Sequence, residues 1–422
     1  MHIIQIIVLL GGCGPLQPVS SPKMTSTPIA TLIPIPTVLP TFTPTLISPE
    51  IENAQLEEIH MTDETSGWAW AFDQTSTSYL LHTSDGALTW ENVTPDEYTQ
   101  DQDVFSDAFF LNGHIGWMAL FHRSTGDAYV LMRTTDGGNS WVPVNRDMQA
   151  LKQLDYSEMS FEDEKNGWWK TVLIGAGNVY KYYYRTKDGG ASWELVTLRA
   201  LEGMLDNGLT IYEDGQIEYW SLQVRAFYFD LSHIIYTDGL TTLFVTRDLG
   251  KTWQKIELTG LPDTMDSELS WIENPTFFDA ENGVLPIIVR DQSVDATQVF
   301  IYGTQDGGLT WRLESGPTLV ARGTADMRTE FISRLNGFLI VDENVSITHD
   351  GGKTWRLLAL PEDFKSSETA RIDVYLNFVN PMTGWTYLTK ISRQTSLWID
   401  RRLLKTTDGG LTWTELSPTI NP

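Results

Sequence analysis

The chain has 422 residues, of which 29 are Lys or Arg and 55 are Asp or Glu, so its formal net charge is −26. That balance excludes nucleic acid as a partner, because neutralising phosphates needs clustered cations. The single cysteine excludes a disulfide framework and any multi-cysteine metal site. A hydrophobic fraction of 41% suits a chain with a core, and no run of 18 apolar residues suggests a spanning helix.

In chain order, residues 1–13 come first, with an apolar run from Ile3 to Leu10 and then Gly11, Gly12 and Cys13. Leu10-Gly11-Gly12-Cys13 resembles the lipobox of bacterial lipoproteins. The resemblance implies a lipid on Cys13, an extracytoplasmic location and attachment to the cell membrane through that lipid. Two features depart from the pattern: only His2, and no Lys or Arg, precedes the run, and the run is short.

Residues 14–49 hold nine Pro, seven Thr and no acidic residue. Such a composition cannot bury a core and keeps the chain extended, so it reads as a disordered tether reaching up to about 100 Å.

From residue 50 to 422 the chain repeats. The pattern Thr-x-Asp-x-Gly-x-Thr/Ser-Trp occurs seven times, with Ala87 replacing Gly in the first copy. Its aspartates are Asp85, Asp136, Asp188, Asp248, Asp306, Asp350 and Asp408. Its tryptophans are Trp90, Trp141, Trp193, Trp253, Trp311, Trp355 and Trp413. An Asp carboxylate accepts backbone N–H groups one or two residues on and closes a tight turn. Gly takes the positive φ of that turn, and Trp anchors the outgoing strand.

A second signal precedes each turn. Gly67-Trp68, Gly116-Trp117, Gly167-Trp168 and Gly384-Trp385 open apolar stretches, with weaker copies at Gly283-Val284 and Gly337-Phe338. Six residues before each Gly stand Met61, Phe110, Phe161, Phe277, Phe331 and Phe378. Each unit therefore reads as strand A, turn, strand B, strand C, Asp turn, strand D. The unit around Asp248 is degenerate, with Ser232-His233-Ile234 in place of Gly-Trp.

Seven such units predict an all-β chain: a seven-bladed β-propeller with four-stranded antiparallel blades. The ends of this region coincide with unit boundaries, so little strand exchange is expected at ring closure, and the molecule is expected to be a monomer.

The turn resembles the Asp-box, or BNR repeat, found in sialidases, sortilin-type receptors, xyloglucan-cleaving glycosidases and photosystem II assembly factors. Size and blade number are most similar to the assembly-factor group. That resemblance implies a non-enzymatic scaffold binding a protein or glycan partner, with no cofactor. The alternative is a carbohydrate-active hydrolase, either a glycosidase or a sialidase-like enzyme. The Arg-Ile-Pro signature of sialidases is absent and the first arginine is Arg123. A glycosidase needs two carboxylates about 5–10 Å apart, and 55 acids neither nominate nor exclude a pair. One carboxylate per turn falls short of a calcium site, and no histidine pair has zinc-site spacing, so no metal is expected.

Binding residues are expected opposite the Asp turns, in the D-to-A and B-to-C connections. Residues 199–222, with Met204, Tyr212, Tyr219 and Trp220, form the longest D-to-A loop. Residues 390–402, with Arg393, Trp398, Arg401 and Arg402, form the longest B-to-C segment. Arg225, Arg328 and Arg371 fall where strand A begins in units 4, 6 and 7, against Glu58, Asp107 and Glu158 in units 1 to 3. These arginines and Trp398 are the candidate partner-binding residues, on a face expected to be basic on one side and acidic on the other.

Overall fold

The computed structural model describes residues 54–421, with internal breaks of which the longest are 146–155 and 197–208. Cys13 and the Pro-rich stretch lie outside the described residues, as do Met204, Tyr212 and Trp220. Every regular element in the described residues is a β-strand, and the strands form seven sheets. In each sheet four strands run A-B-C-D as antiparallel neighbours, which makes the fold a β-propeller of four-stranded blades.

The two sequence signals place the strands. Strand A ends at Met61, Phe110, Phe161, Phe277, Phe331 and Phe378, and strand B begins at Gly67, Gly116, Gly167, Gly283, Gly337 and Gly384. These residues are direct cross-strand partners, Met61 with Gly67 and each Phe with its Gly. The missing side chain is what admits the ring. A Cβ on Gly384 would stand 2.5 Å from the Phe378 ring, and one on Gly116 would stand 2.6 Å from Phe110. In the degenerate fourth blade strand A is Arg225–Tyr228 and strand B is Ile234–Thr237.

Blades are held by their neighbours. Trp68 and Leu80 of blade 1 pack on Met118 and Leu120 of blade 2, while Ala69 and Ala71 face Trp385 and Tyr387 of blade 7. A blade thus buries both faces, and each fully buried Leu or Phe contributes about 1.5–3 kcal/mol. Alternation along each strand splits the apolar residues between two interfaces.

Ring closure differs from expectation. Blade 7, with strands Ala370–Phe378, Gly384–Ser392, Trp398–Thr406 and Thr414–Leu416, packs against blade 1, with strands Gln55–Met61, Gly67–Phe72, Ser78–Thr83 and Thr89–Asn92. The chain then continues past blade 7, and Thr419–Asn421 pairs in parallel with Thr89–Glu91 as a fifth, outermost strand of blade 1. Ser417 and Pro418 carry the chain from blade 7 to blade 1, and Ile420 packs against the core shared by the two blades.

Two loops expected from sequence are in part strand. In blade 7, Lys390–Ser392 and Trp398–Arg402 extend the B–C hairpin, leaving 393–397 as the connection. After blade 3, Leu209–Ile211 and Ile217–Tyr219 form a hairpin that joins the edge of strand Asn178–Thr186. A long apolar-polar run keeps its hydrogen-bond ladder where an edge is available, rather than looping out.

Candidate functional site

The Asp turns share one geometry. At all seven, the Thr hydroxyl donates to Asp Oδ1 at 2.8–3.0 Å, and the N–H four residues after the Asp donates to the same oxygen at 2.8–2.9 Å. The Thr or Ser hydroxyl at that position donates to Oδ2 at 2.6–2.7 Å. Gly308 has φ of 83° in this turn, and the exceptional Ala87 adopts 74°. Burial pushes most of these carboxyls up, but the hydrogen bonds win and hold all seven below the ordinary range. Asp408, bonded foremost by the Thr412 hydroxyl, is drawn down to about 2. Both oxygens are committed to the turn.

The turn tryptophans complete the same packing unit. Trp193, Trp311, Trp355 and Trp413 set their rings edge-on to Phe161, Phe277, Phe331 and Phe378, at centroid distances of 5.9–6.3 Å. Trp90 is fully buried, and Trp141 donates its indole N–H to Val93 O at 2.8 Å. Trp253 is half-buried.

On the opposite face the candidate residues separate. Arg225 begins its strand, but its side chain is outside the described residues. Arg328 donates to Val374 O in the next blade and lies 5.7 Å over the Tyr375 ring. Arg371 pairs with Asp373 at 3.3 Å. Both described guanidinium groups are therefore engaged by neighbours, Arg328 across the blade interface and Arg371 along its own strand. Trp398 is not in a loop but opens strand Trp398–Thr406, with the Arg401 guanidinium 3.3 Å above its ring.

The acidic side is less charged than its sequence suggests. Burial, then the charge of Glu158, pushes the Asp107 carboxyl well above its ordinary range, against the downward pull of hydrogen bonds from the Ala108 and Met159 backbone and the Ser157 side chain. Glu158 pairs with Lys170 at 2.7 Å. Glu58 is pushed up to about 7 by burial and by Glu57, and burial also pushes Glu330 up to about 7 against the pull of Arg328.

Sequence reasoning singled out Trp398 but missed its apolar neighbours Leu397 and Ile399 and the cleft beside them. Leu397, Trp398 and Ile399 are exposed by 68%, 50% and 57%, a run of three consecutive exposed apolar residues. Beside it, a cleft of about 370 Å³ lies between blades 7 and 1, lined among others by Leu56, Tyr387, Trp398, Arg401, Leu416 and Ile420. Arg401 donates to Leu56 O at 3.1 Å across this seam. The signal in the sequence was three consecutive apolar residues, Leu397-Trp398-Ile399, which break strand alternation.

The fold defines a propeller class of protein, and the site a mixed apolar and cationic surface at its closing seam. No family model and no curated protein matches the chain. Solved structures do resemble it. YCF48 bound to D1 peptide is 17% identical with a TM-score of 0.45, covering 85% of this chain and 93% of that one. YCF48 from Cyanidioschyzon merolae is 15% identical with a TM-score of 0.45, covering 85% and 98%. A polysaccharide lyase, the PL25 ulvan lyase bound to a sugar ligand, is 10% identical with a TM-score of 0.44, covering 88% and 97%. Both binding proteins and enzymes are thus among the similar structures, and the likeness is one of fold.

Proposed function

We propose that this chain is a non-catalytic binding or assembly-scaffold propeller that engages a protein or glycan partner through the blade 7–blade 1 sector of the face opposite the Asp turns. In this reading residues 1–13 are a lipoprotein signal, 14–49 a tether, and 50–422 a monomeric propeller held outside the cytoplasm by a lipid on Cys13. The observation that carries the binding role is the exposed Leu397-Trp398-Ile399 patch beside Arg401 and the seam cleft. Apolar and Arg anchors around a cleft are what partner surfaces use. Crosslinking and pull-down from native membranes tests it. A specific partner lost on Trp398→Ser substitution is the expected result, and capture unchanged by the substitution overturns the assignment of this sector.

A second reading has its own observation. Asp107 and Glu158 are neighbouring carboxyls on the same face, and the environment drives the first toward its protonated form. Such a split is how acid and base roles are divided in a glycosidase. Against it, Asp107 Oδ2 is fully buried and unbonded, so a sugar oxygen has no path to it in this conformation. A glycan-hydrolysis panel decides: turnover abolished by Glu158→Gln would replace the binding reading with the hydrolase.

A further inference from the structure

Blades 3, 5 and 7 differ from the other four in having nine-residue B and C strands. The added length lies on the face opposite the Asp turns, where a short strand D cannot reach. In blade 3, strand D is Glu194–Leu195, and the upper edge of strand C is covered instead by Ile217–Tyr219, which pairs Val179 with Tyr219 and Lys181 with Ile217. In blade 5, strand D continues to Arg322 and covers the same place, pairing Ala296 with Arg322 and Val299 with Thr318. In blade 7, strand D is Thr414–Leu416 and pairs only with Leu403–Lys405. Among the described residues no strand pairs with the outer edge of Trp398–Arg401.

That edge bears the marks of a missing neighbour. The corresponding strand of blade 5 is buried along its whole length, whereas Trp398 and Ile399 are exposed. The backbone N–H of Arg401 donates to the Asp400 carboxylate at 2.8 Å, a side chain standing where a strand carbonyl would accept. Arg401 Nε is buried and unbonded. The seam cleft is lined both by this edge, from Trp398 to Leu403, and by Ala54, Gln55 and Ile420.

We propose that the outer edge of Trp398–Arg401 receives an extended segment of a partner protein, acidic and apolar in alternation, as an added antiparallel strand. Backbone pairing supplies the affinity, as it does for peptides added to other sheet edges. The strand from the partner takes the place that the chain itself fills in blades 3 and 5, and in the same antiparallel sense. Charge favours an acidic character: residues 390–402 hold Lys390, Arg393, Arg401 and Arg402 against Asp400, and although Arg402 is shared between Asp400 at 3.2 Å and Glu415 at 3.7 Å, the segment is cationic on a chain of net charge −26. The apolar positions of the segment cover Trp398 and Ile399 and fill the cleft. The inference rests on the binding reading above and names the partner chemistry for its site.

The test uses the full chain and a fluorescent decapeptide of alternating Val and Glu, read by anisotropy. A second peptide of the same sequence carries N-methyl groups on alternate amides, and a third replaces Glu by Lys. The expected result is saturable binding of the first peptide, with N-methylation weakening it about tenfold or more through lost backbone bonds. The Lys peptide should bind more weakly, most clearly at low salt. The double variant Trp398→Thr, Ile399→Thr, whose exposed positions leave the melting temperature unchanged, should also bind about tenfold less. No saturable binding of the Val-Glu peptide, equal binding of its N-methylated form, or saturable binding of an oligosaccharide alone would overturn the proposal. Pull-down with the double variant separates the two readings. Partner capture that survives the double variant refutes edge pairing and leaves a binding protein. No captured partner together with glycan turnover refutes the binding reading itself.

Discussion

The indole N–H of Trp385 in blade 7 donates to the carbonyl oxygen of Gly86 in blade 1 at 3.2 Å, across 299 residues of sequence. The same bond links Trp117 of blade 2 to Gly189 of blade 3 at 2.9 Å. In each case the tryptophan that follows the strand B glycine locks onto the Asp turn of the next blade. The seam between the first and last blades is thus built like an internal interface. Trp385→Phe should remove one buried bond and cost about 1–2 kcal/mol, and Trp385→Ala about 3–5 kcal/mol, in denaturant titration. A Phe variant as stable as the parent would show that shape alone holds the seam.

The Asp turns are expected to be structural. Asp306→Ala removes an acceptor for the Thr304 hydroxyl and for both the N–H and hydroxyl of Thr310. Because the turn is partly solvated, the loss should be about 1–2 kcal/mol. Trp311→Ala, at a side chain only 8% exposed, should cost about 3–5 kcal/mol. Thermal melts of both variants check this. A neutral Asp306→Ala that lost partner binding would reassign the turn to recognition.

Acidity acts on this fold in two opposed ways. Glu58 and Glu330 titrate near 7 in the folded chain and Asp107 well above its ordinary value, so the native state holds protons that the unfolded chain releases above about 4.5. Their contribution is complete below the unfolded value and fades as pH rises through 7. The turn carboxylates behave oppositely, being depressed, with Asp408 at about 2, so their contribution is lost as pH falls from about 4 to 2. The melting temperature should therefore peak near pH 5 and fall on both sides. Glu330→Gln should flatten the alkaline slope; an unchanged slope would remove Glu330 from the account.

The proposed anchor makes a separate prediction. Cys13→Ala should move the protein from the membrane to the soluble fraction, because acyl chains supply about 0.8 kcal/mol per buried CH₂. Continued membrane fractionation of the variant would refute lipidation at this residue.

How much was legible in the sequence follows from how local each signal is. The Asp turns and the glycine-aromatic pairs are set within six residues, by a carboxylate, a positive φ and a missing Cβ. They placed the ends of strand A and the starts of strand B at the right residues. The strand Thr419–Asn421 was not legible, because its partner Thr89–Glu91 lies over 300 residues away and it carries no motif of its own. The arginines at the start of strand A were legible as positions but not as environments. Arg371 meets Asp373 two residues along its own strand, and Arg328 meets a backbone carbonyl, which no sequence displays. The open edge at Trp398 appears only when the three long blades are compared strand by strand.

Strand Gln55–Met61 and strand Thr419–Asn421 are the innermost and outermost strands of one sheet. A pull transmitted through residue 54 therefore loads the blade that also clasps the far end of the chain. Peeling that inner strand would strain Arg401 and Tyr387, which both hold the Leu56 carbonyl from blade 7, before any other blade felt the force. The ring resists such traction as a clasped belt does, with its buckle in the blade that carries residue 54.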